Sequence, residues 1–157
     1  MEIRHVTANK KQYLDLLLLA DEQEDMIDRY LEEGEMFVLL DPDPVGECVV
    51  VDLGDGVFEI KNIATKPACQ GKGYGRKLIE FVMERYQSRC KLMLVGTGDS
   101  PLTVPFYQKC GFTEHHRVKN FFTDNYDHPI FEAGIQLVDM VYLSRTPEGK
   151  QPEGEKA

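Results

Sequence analysis

A glycine-rich loop between a strand-like and a helix-like segment constrains the fold more than any other feature of this sequence. Residues 69–81 read CQGKGYGRKLIEF, with glycines at positions 71, 73 and 75 that run directly into apolar residues at helical spacing. A helix that begins this way presents backbone N–H groups with little side-chain bulk, and its dipole favours negative charge. Lys72, Arg76 and Lys77 add cations. The stretch therefore predicts a binding site for a phosphate or pyrophosphate.

The segments around this loop predict a mixed α/β sheet. Periodicity and turn residues predict strands over 2–6, 36–40, 47–53, 57–65, 91–96, 113–118 and 134–143. They predict helices that begin at Lys10, that cover Glu22–Glu33 with Gly34 as C-cap, that cover 73–88, and a short helix that ends at Cys110. Segments 57–65, 73–88 and 91–96 form a strand–helix–strand unit, which pairs its strands in parallel. The fold class expected is therefore a mostly antiparallel twisted sheet with one parallel junction, flanked by helices.

Length and composition predict a single domain over residues 1–145. A chain of 157 residues suffices for one core. From Arg145 the sequence RTPEGKQPEGEKA has no large apolar residue, so we expect residues 146–157 to be a disordered tail. The formal charge of −9 disfavours nucleic acid and favours a cationic guest. There is no apolar run that spans a membrane and no signal-peptide pattern at the start, so a cytoplasmic location is expected.

The four cysteines at positions 48, 69, 90 and 110 show no repeat and no metal-ligand spacing. We expect them to be reduced and structural, with no metal in the protein.

The spacing of the loop glycines decides between phosphate-binding classes. A dinucleotide fingerprint would need a third glycine where Arg76 stands, and the chain contains no P-loop. What remains is Gln-x-x-Gly-x-Gly, carried by Gln70, Gly73 and Gly75. With EIKNIAT before it and PFYQKCGF (105–112) after it, this pattern resembles the GNAT superfamily of N-acetyltransferases over residues 2–144.

The resemblance implies that acetyl-CoA is the acetyl donor and that an amine attacks its thioester directly. It places the thioester beside residues 63–65, where the backbone N–H of Ile63 would polarise the carbonyl. The acetyl-CoA-binding residues that it implies are Ile63, Ala64, Thr65, Gln70, Gly71, Lys72, Gly73, Tyr74, Gly75, Arg76, Asp99, Ser100 and Tyr107.

The resemblance also supplies two catalytic candidates. Tyr107 would be the general acid that protonates the leaving thiolate, although a core aromatic between Phe106 and Phe112 fits the same position. Glu59 would be the base, directly or through water. Since strand alternation puts it on one face with Lys61, a cross-strand ion pair is the competing interpretation.

Other polar groups are weaker candidates for the acceptor side. His115 and His116 should point to opposite faces of a strand and are read as surface residues. His128, in TDNYDHPIF (123–131), fits either an acceptor pocket or a plain surface loop. An acidic group could attract a cationic amine or simply form a solvated helix face; its members are Asp21, Glu22, Glu24, Asp25 and Asp28.

Two departures from the family pattern leave an alternative open. Many members carry an Asn that holds the pantetheine arm, where this chain has Asp99 and Ser100. Pro105 should restart its helix at the first helical position. The leading hypothesis is transfer of acetyl to an amine of a small molecule or protein, and the alternative is a catalytically silent acyl-CoA-binding module. A cationic acceptor and a homodimer are expected partners.

Overall fold

The computed structural model describes residues 1–148, and these divide into two compact units, residues 1–90 and the residues from 91 onward. The strands are β1 (Glu2–Val6), β2 (Glu35–Leu40), β3 (Pro44–Gly54), β4 (Val57–Thr65), β5 (Leu92–Gly98), β6 (Thr113–Val118), β7 (Phe131–Glu132), β8 (Ile135–Gln136) and β9 (Met140–Arg145). The helices are α1 (Leu14–Ala20), α2 (Glu24–Ile27), α3 (Tyr74–Arg85), α4 (Val104–Lys109) and α5 (Phe121–Asn125). Two short 3₁₀ helices, Lys10–Tyr13 and Pro67–Cys69, precede α1 and α3.

The first unit is built on an antiparallel sheet in the order β1-β2-β3-β4, which confirms the predicted meander. One face packs against α1 and the segment after α2, with Leu17, Ile27 and Val49 in the shared core. The other face carries α3, where the rings of Phe37 and Phe58 contact Tyr86.

Helix α3 is held to the sheet by one apolar stripe. Leu78, Ile79, Val82 and Met83 are buried, while the residues between them reach solvent. Each such side chain contributes about 1.5–3 kcal/mol when it is fully buried. This helix supports the glycine loop that precedes it.

The predicted helix over Glu22–Glu33 is wrong, because α2 is one turn long and residues 28–33 form turns. A contact from outside the segment explains the difference. The ammonium group of Lys10 is buried and donates to three backbone carbonyls, those of Leu31 (2.9 Å), Glu32 (3.3 Å) and Gly34 (2.6 Å). These bonds fix an irregular path that a regular helix cannot follow.

Gly34 was predicted to cap this helix, but its role in the structure is to allow close packing. A Cβ atom at this position would lie 2.6 Å from Cγ1 of Val49 and 3.1 Å from the carbonyl oxygen of Tyr30. Only a residue without a side chain lets this segment approach β3 so closely.

The second unit contains an antiparallel sheet in the order β5-β9-β6. Strand β6 has the predicted bounds. The short helix α4 ends at Lys109, one residue before the predicted end, with Cys110 as its C-cap. Pro105 occupies the second helical position, not the first, because the helix begins at Val104 with Thr103 as N-cap. A proline is tolerated there, since the first-turn N–H groups have no helical acceptor.

The region between β6 and β9 is more structured than the sequence predicts. The stretch expected to be an irregular loop contains α5 and the hairpin β7–β8, and the strand expected over 134–143 begins only at Met140. Phe122, Ile130 and Leu137 form a small apolar cluster of their own, and the Leu137 N–H donates to the Ile130 carbonyl (2.8 Å). This local cluster occupies the residues before Met140, so the strand begins later than predicted.

Within residues 1–148, the helices are all too short or too polar to cross a membrane. The predicted disordered tail lies mostly outside the described residues, which end at Glu148.

Candidate active site

The glycine loop has the backbone geometry that an anion site requires. Gly73 is the N-cap of α3 with φ of 84°, in the left-handed region. The Lys77 N–H donates to the Gly73 carbonyl (3.0 Å), which makes it the first helical hydrogen bond of this turn. The N–H groups of Tyr74 and Gly75 precede that bond and have no acceptor within the helix. A Cβ at Gly71 or Gly73 would meet no atom within 4 Å. The space in front of these amides is open to a phosphate.

Two side-chain hydrogen bonds fix this loop. The Gln70 amide donates to the Thr65 carbonyl (3.3 Å), which ties the loop to the end of β4. The Tyr74 hydroxyl donates to Asp41 (2.5 Å), and this hydrogen bond raises the pKa of the tyrosine. Lys72 and Arg76 are exposed beside the loop.

A β-bulge interrupts β4 just before the residues expected at the thioester. Asn62 pairs with Val49 and Ile60 with Val50, so Lys61 is an extra residue on β4. Bulges re-aim side chains and often lie beside active sites. Residues 63–65 follow directly and pair with β3 down to Gly46.

Glu59 is a buried carboxylate with a cation beside it. It is 6% exposed, and its Oε1 lies 3.4 Å from Nζ of Lys61. Burial raises the pKa of Glu59, and the charge and hydrogen bond of Lys61 offset part of that rise. The expected ion pair is therefore present, but along one strand and not across two. A carboxylate with a raised pKa suits a general base, since proton affinity increases with pKa.

Asn62 is a polar residue of this region that sequence reasoning missed. It is 3% exposed, and its amide nitrogen donates to the Leu17 carbonyl (3.1 Å) and the Tyr30 hydroxyl (3.0 Å). The Tyr30 hydroxyl in turn donates to Asp21 (3.3 Å). The sequence signal that could have identified it is the amide side chain of Asn62 directly before two apolar residues, in the segment NIA (62–64).

Tyr107 lies on α4 and is 7% exposed. Its ring contacts Phe106 (5.2 Å between ring centroids) and Phe112 (6.0 Å). The packing role considered for this residue is therefore present, and it also holds the phenol in a fixed orientation, as a general acid requires.

Asp99 and Ser100 both make bonds within the second unit. Asp99 accepts from Arg117 (2.8 Å), and Ser100 is 2% exposed with its hydroxyl accepting from the Leu102 N–H (3.1 Å). These bonds order the turn that leads into α4.

The candidate histidines have two different settings. His115 and His116 were expected on opposite faces, which is wrong, because an irregular register between Glu114 and His116 brings their Nδ1 atoms to 2.8 Å. Both are exposed on β6, as expected.

His128 bonds Asp127 (2.5 Å) and borders a pocket of about 230 Å³, lined also by Phe122, Thr123, Tyr126, Pro129, Ile130, Gln136 and Leu137.

The acidic group near α2 is partly neutralised by a lysine. Nζ of Lys11 lies 2.7 Å from both Glu24 and Asp28, and these two hydrogen bonds raise the lysine pKa, that to Asp28 most. This arrangement favours the solvated-face interpretation.

Within residues 1–148, no cluster of His, Cys, Asp and Glu suits a metal ion.

Comparison with known proteins agrees with this geometry. Residues 32–114 match the family described as Acetyltransferase (GNAT) domain. An uncharacterized N-acetyltransferase of Bacillus subtilis (strain 168), YvbK, is 40% identical over 132 residues, which are 82% of this chain and 85% of that protein.

Solved structures extend the similarity across most of the chain. A GNAT family acetyltransferase from Elizabethkingia anophelis with acetyl-CoA bound has a TM-score of 0.86 at 36% identity, covering 92% of this chain and 97% of that one. A Bacillus subtilis acetyltransferase in complex with CoA has a TM-score of 0.84 at 36% identity with the same coverage.

The chain belongs to the GNAT family of acetyltransferases. The family and fold class predicted from the glycine loop and its flanking segments are thereby confirmed, as is the assignment to acetyltransferase enzymes. The roles of individual site residues and the single-domain boundary at residue 145 stay predictions.

Proposed function

We propose that this acetyltransferase moves an acetyl group from acetyl-CoA to an amine of a small molecule or protein, by direct attack of the amine on the thioester. The observation that carries the proposal is the open row of backbone amides at the start of α3, in a chain whose similar proteins were crystallised with acetyl-CoA and CoA. Backbone amides at a helix N-terminus suit the pyrophosphate of coenzyme A. A cytoplasmic location is part of the proposal.

In the proposed reaction the amine nitrogen bonds to the acetyl carbon while the carbon–sulfur bond breaks. The thioester lies beside residues 63–65, where the backbone N–H of Ile63 polarises the carbonyl, and Asp99 or Ser100 takes the place of the Asn that holds the pantetheine arm in many family members. Tyr107 gives its proton to the thiolate, and the amine loses a proton to Glu59 or to water. A free alkylamine has a pKa of about 10.4 and is therefore mostly an ammonium ion near neutral pH. Its nitrogen can attack only after the ammonium proton has been removed.

The net charge of the chain favours one chemical class of acceptor. A net charge of −9 favours a cationic amine, such as a polyamine, an aminoglycoside or a lysine-like side chain.

The test is thiol release from acetyl-CoA across a panel of such amines, with Tyr107→Phe beside the wild type. Loss of a general acid should lower kcat by about 10²- to 10⁴-fold. Tyr142→Phe is the matched control, because Tyr142 stacks on His116 in β6 and has no proposed role in the reaction. Equal rates for the wild type and Tyr107→Phe would remove Tyr107 from the mechanism. A protein that binds coenzyme A but acetylates no amine would support the silent module.

A further inference from the structure

Two buried polar side chains of the first unit have unmet hydrogen-bond acceptors. Glu47 in β3 is 0% exposed, and neither Oε1 nor Oε2 has a partner within residues 1–148. Asn62 in β4 is almost as buried, and within the same residues its Oδ1 is also unpartnered. Unmet buried acceptors destabilise a fold, so three of them on neighbouring strands require an explanation.

The two residues are diagonal neighbours on one face of the sheet. Glu47 pairs with Ala64 while Asn62 pairs with Val49, and Val49 belongs to the core against α1. Diagonal neighbours lie within reach of a long side chain such as glutamate. Asn62 also bonds Tyr30, whose pKa is raised most by burial.

The orientation of the Asn62 amide is fixed by chemistry. Its nitrogen donates to the Leu17 carbonyl, which can only accept, so nitrogen and oxygen cannot exchange places. Oδ1 therefore needs a donor. An ionised Glu47 is an acceptor only and cannot supply one, whereas a neutral carboxyl carries an O–H.

We propose that the carboxyl O–H of Glu47 is the donor for Oδ1 of Asn62, and that the two act as positioning residues for residues 63–65 of β4. A rotation of the Glu47 side chain forms the bond. It extends the hydrogen bonds already present into a chain Glu47–Asn62–Tyr30–Asp21, which links β3 and β4 to the end of α1. The positioning role rests on the proposed function of residues 63–65.

The charges around Glu47 agree with a neutral carboxyl. Tyr30 and Cys48, the neighbour of Glu47 in β3, are both uncharged near neutral pH, because burial raises the pKa of each. Asp21 accepts from the Tyr30 hydroxyl. On β4, the Lys61 ammonium is paired with Glu59. With both oxygens of Glu47 unpartnered within residues 1–148, burial raises its pKa well above the usual range.

The protonation state is tested with Glu47→Gln and Glu47→Leu by thermal unfolding between about pH 5, just above the ordinary Glu pKa, and about pH 8. A group whose pKa is raised on folding loses stabilising free energy as pH rises from its unfolded to its folded pKa. The wild type should therefore lose melting temperature relative to Glu47→Gln as pH rises. Glu47→Leu, which leaves Oδ1 without a donor, should melt below Glu47→Gln at every pH. Parallel curves for the wild type and Glu47→Gln would overturn the proposal.

An infrared spectrum provides a second readout that does not depend on how the variants fold. The wild type at neutral pH should show the carbonyl stretch of a protonated carboxyl, and Glu47→Gln should lack it. Absence of this band from the wild type would also overturn the proposal.

The positioning role is tested by calorimetry with coenzyme A. Glu47→Leu and Asn62→Leu should each weaken binding by about tenfold, the factor expected for one buried hydrogen bond, and Glu47→Gln should restore most of it. Wild-type affinity in folded Glu47→Leu would refute the positioning role. Failure of the proposed function would look different, since the wild type itself would then not bind coenzyme A.

Discussion

Replacing Gly73 by alanine tests the anion site where its backbone is most demanding. An alanine forced to φ of 84° costs about 1–2 kcal/mol in the left-handed region. For a chain of 157 residues that corresponds to a fall in Tm of about 2–8 °C. The new Cβ would also stand in the open space in front of the α3 amides. It should keep the pyrophosphate from making one or more charge-assisted hydrogen bonds, each worth about 1.5–3 kcal/mol.

The expected result is a 10- to 100-fold rise, roughly, in the Kd for coenzyme A, measured by calorimetry well below the Tm. Gly54→Ala is the matched control, because Gly54 has φ of 91° and equally open surroundings but lies at the β3–β4 turn. Both variants should lose similar stability, and only Gly73→Ala should lose affinity. Equal coenzyme A affinities for the two variants would refute the assignment of the loop to the pyrophosphate.

Three further predictions concern charged side chains. Glu59→Gln should lower kcat by about 10²- to 10⁴-fold if Glu59 is the base, and unchanged pH–rate profiles would exclude it. A base acts when it is deprotonated and burial raises the Glu59 pKa, so activity should fall as pH drops through that pKa. Lys61→Met removes the cation that offsets part of this rise and should shift the fall in activity to higher pH. A shift to lower pH would contradict the ion pair. Lys10→Met should reduce the free energy of unfolding by about 1–3 kcal/mol in urea titrations, because it leaves carbonyls such as that of Gly34 unpaired, and an unchanged midpoint would contradict their role.

Much of the fold follows from local patterns. The meander, the loop and α3 were predictable, because alternation, turn residues and helical spacing all agree there. The segment after α2 was not predictable, because its path depends on Lys10, which precedes the carbonyls that it bonds by 21 to 24 residues. The start of β9 was also missed, since Leu137, which precedes it, packs into the small cluster around Phe122 instead of continuing the strand.

The site was predictable to a similar degree. The loop is identified by its spacing, since glycines and helix onset form one local pattern. Glu47 and Asn62 were not identified, because a polar residue in a strand usually faces solvent. Their burial depends on how α1 covers the sheet, and local sequence does not encode that contact.

The most direct test of the account is the fate of the acetyl group. Isotopically labelled acetyl-CoA is incubated with the protein and the amine panel, and free thiol and acetylated amine are quantified together by mass spectrometry. Acetyl transfer to an amine should give one acetylated amine for each thiol released, with the label on the amine nitrogen. Thiol release without a labelled amine would contradict acetyl transfer to an amine.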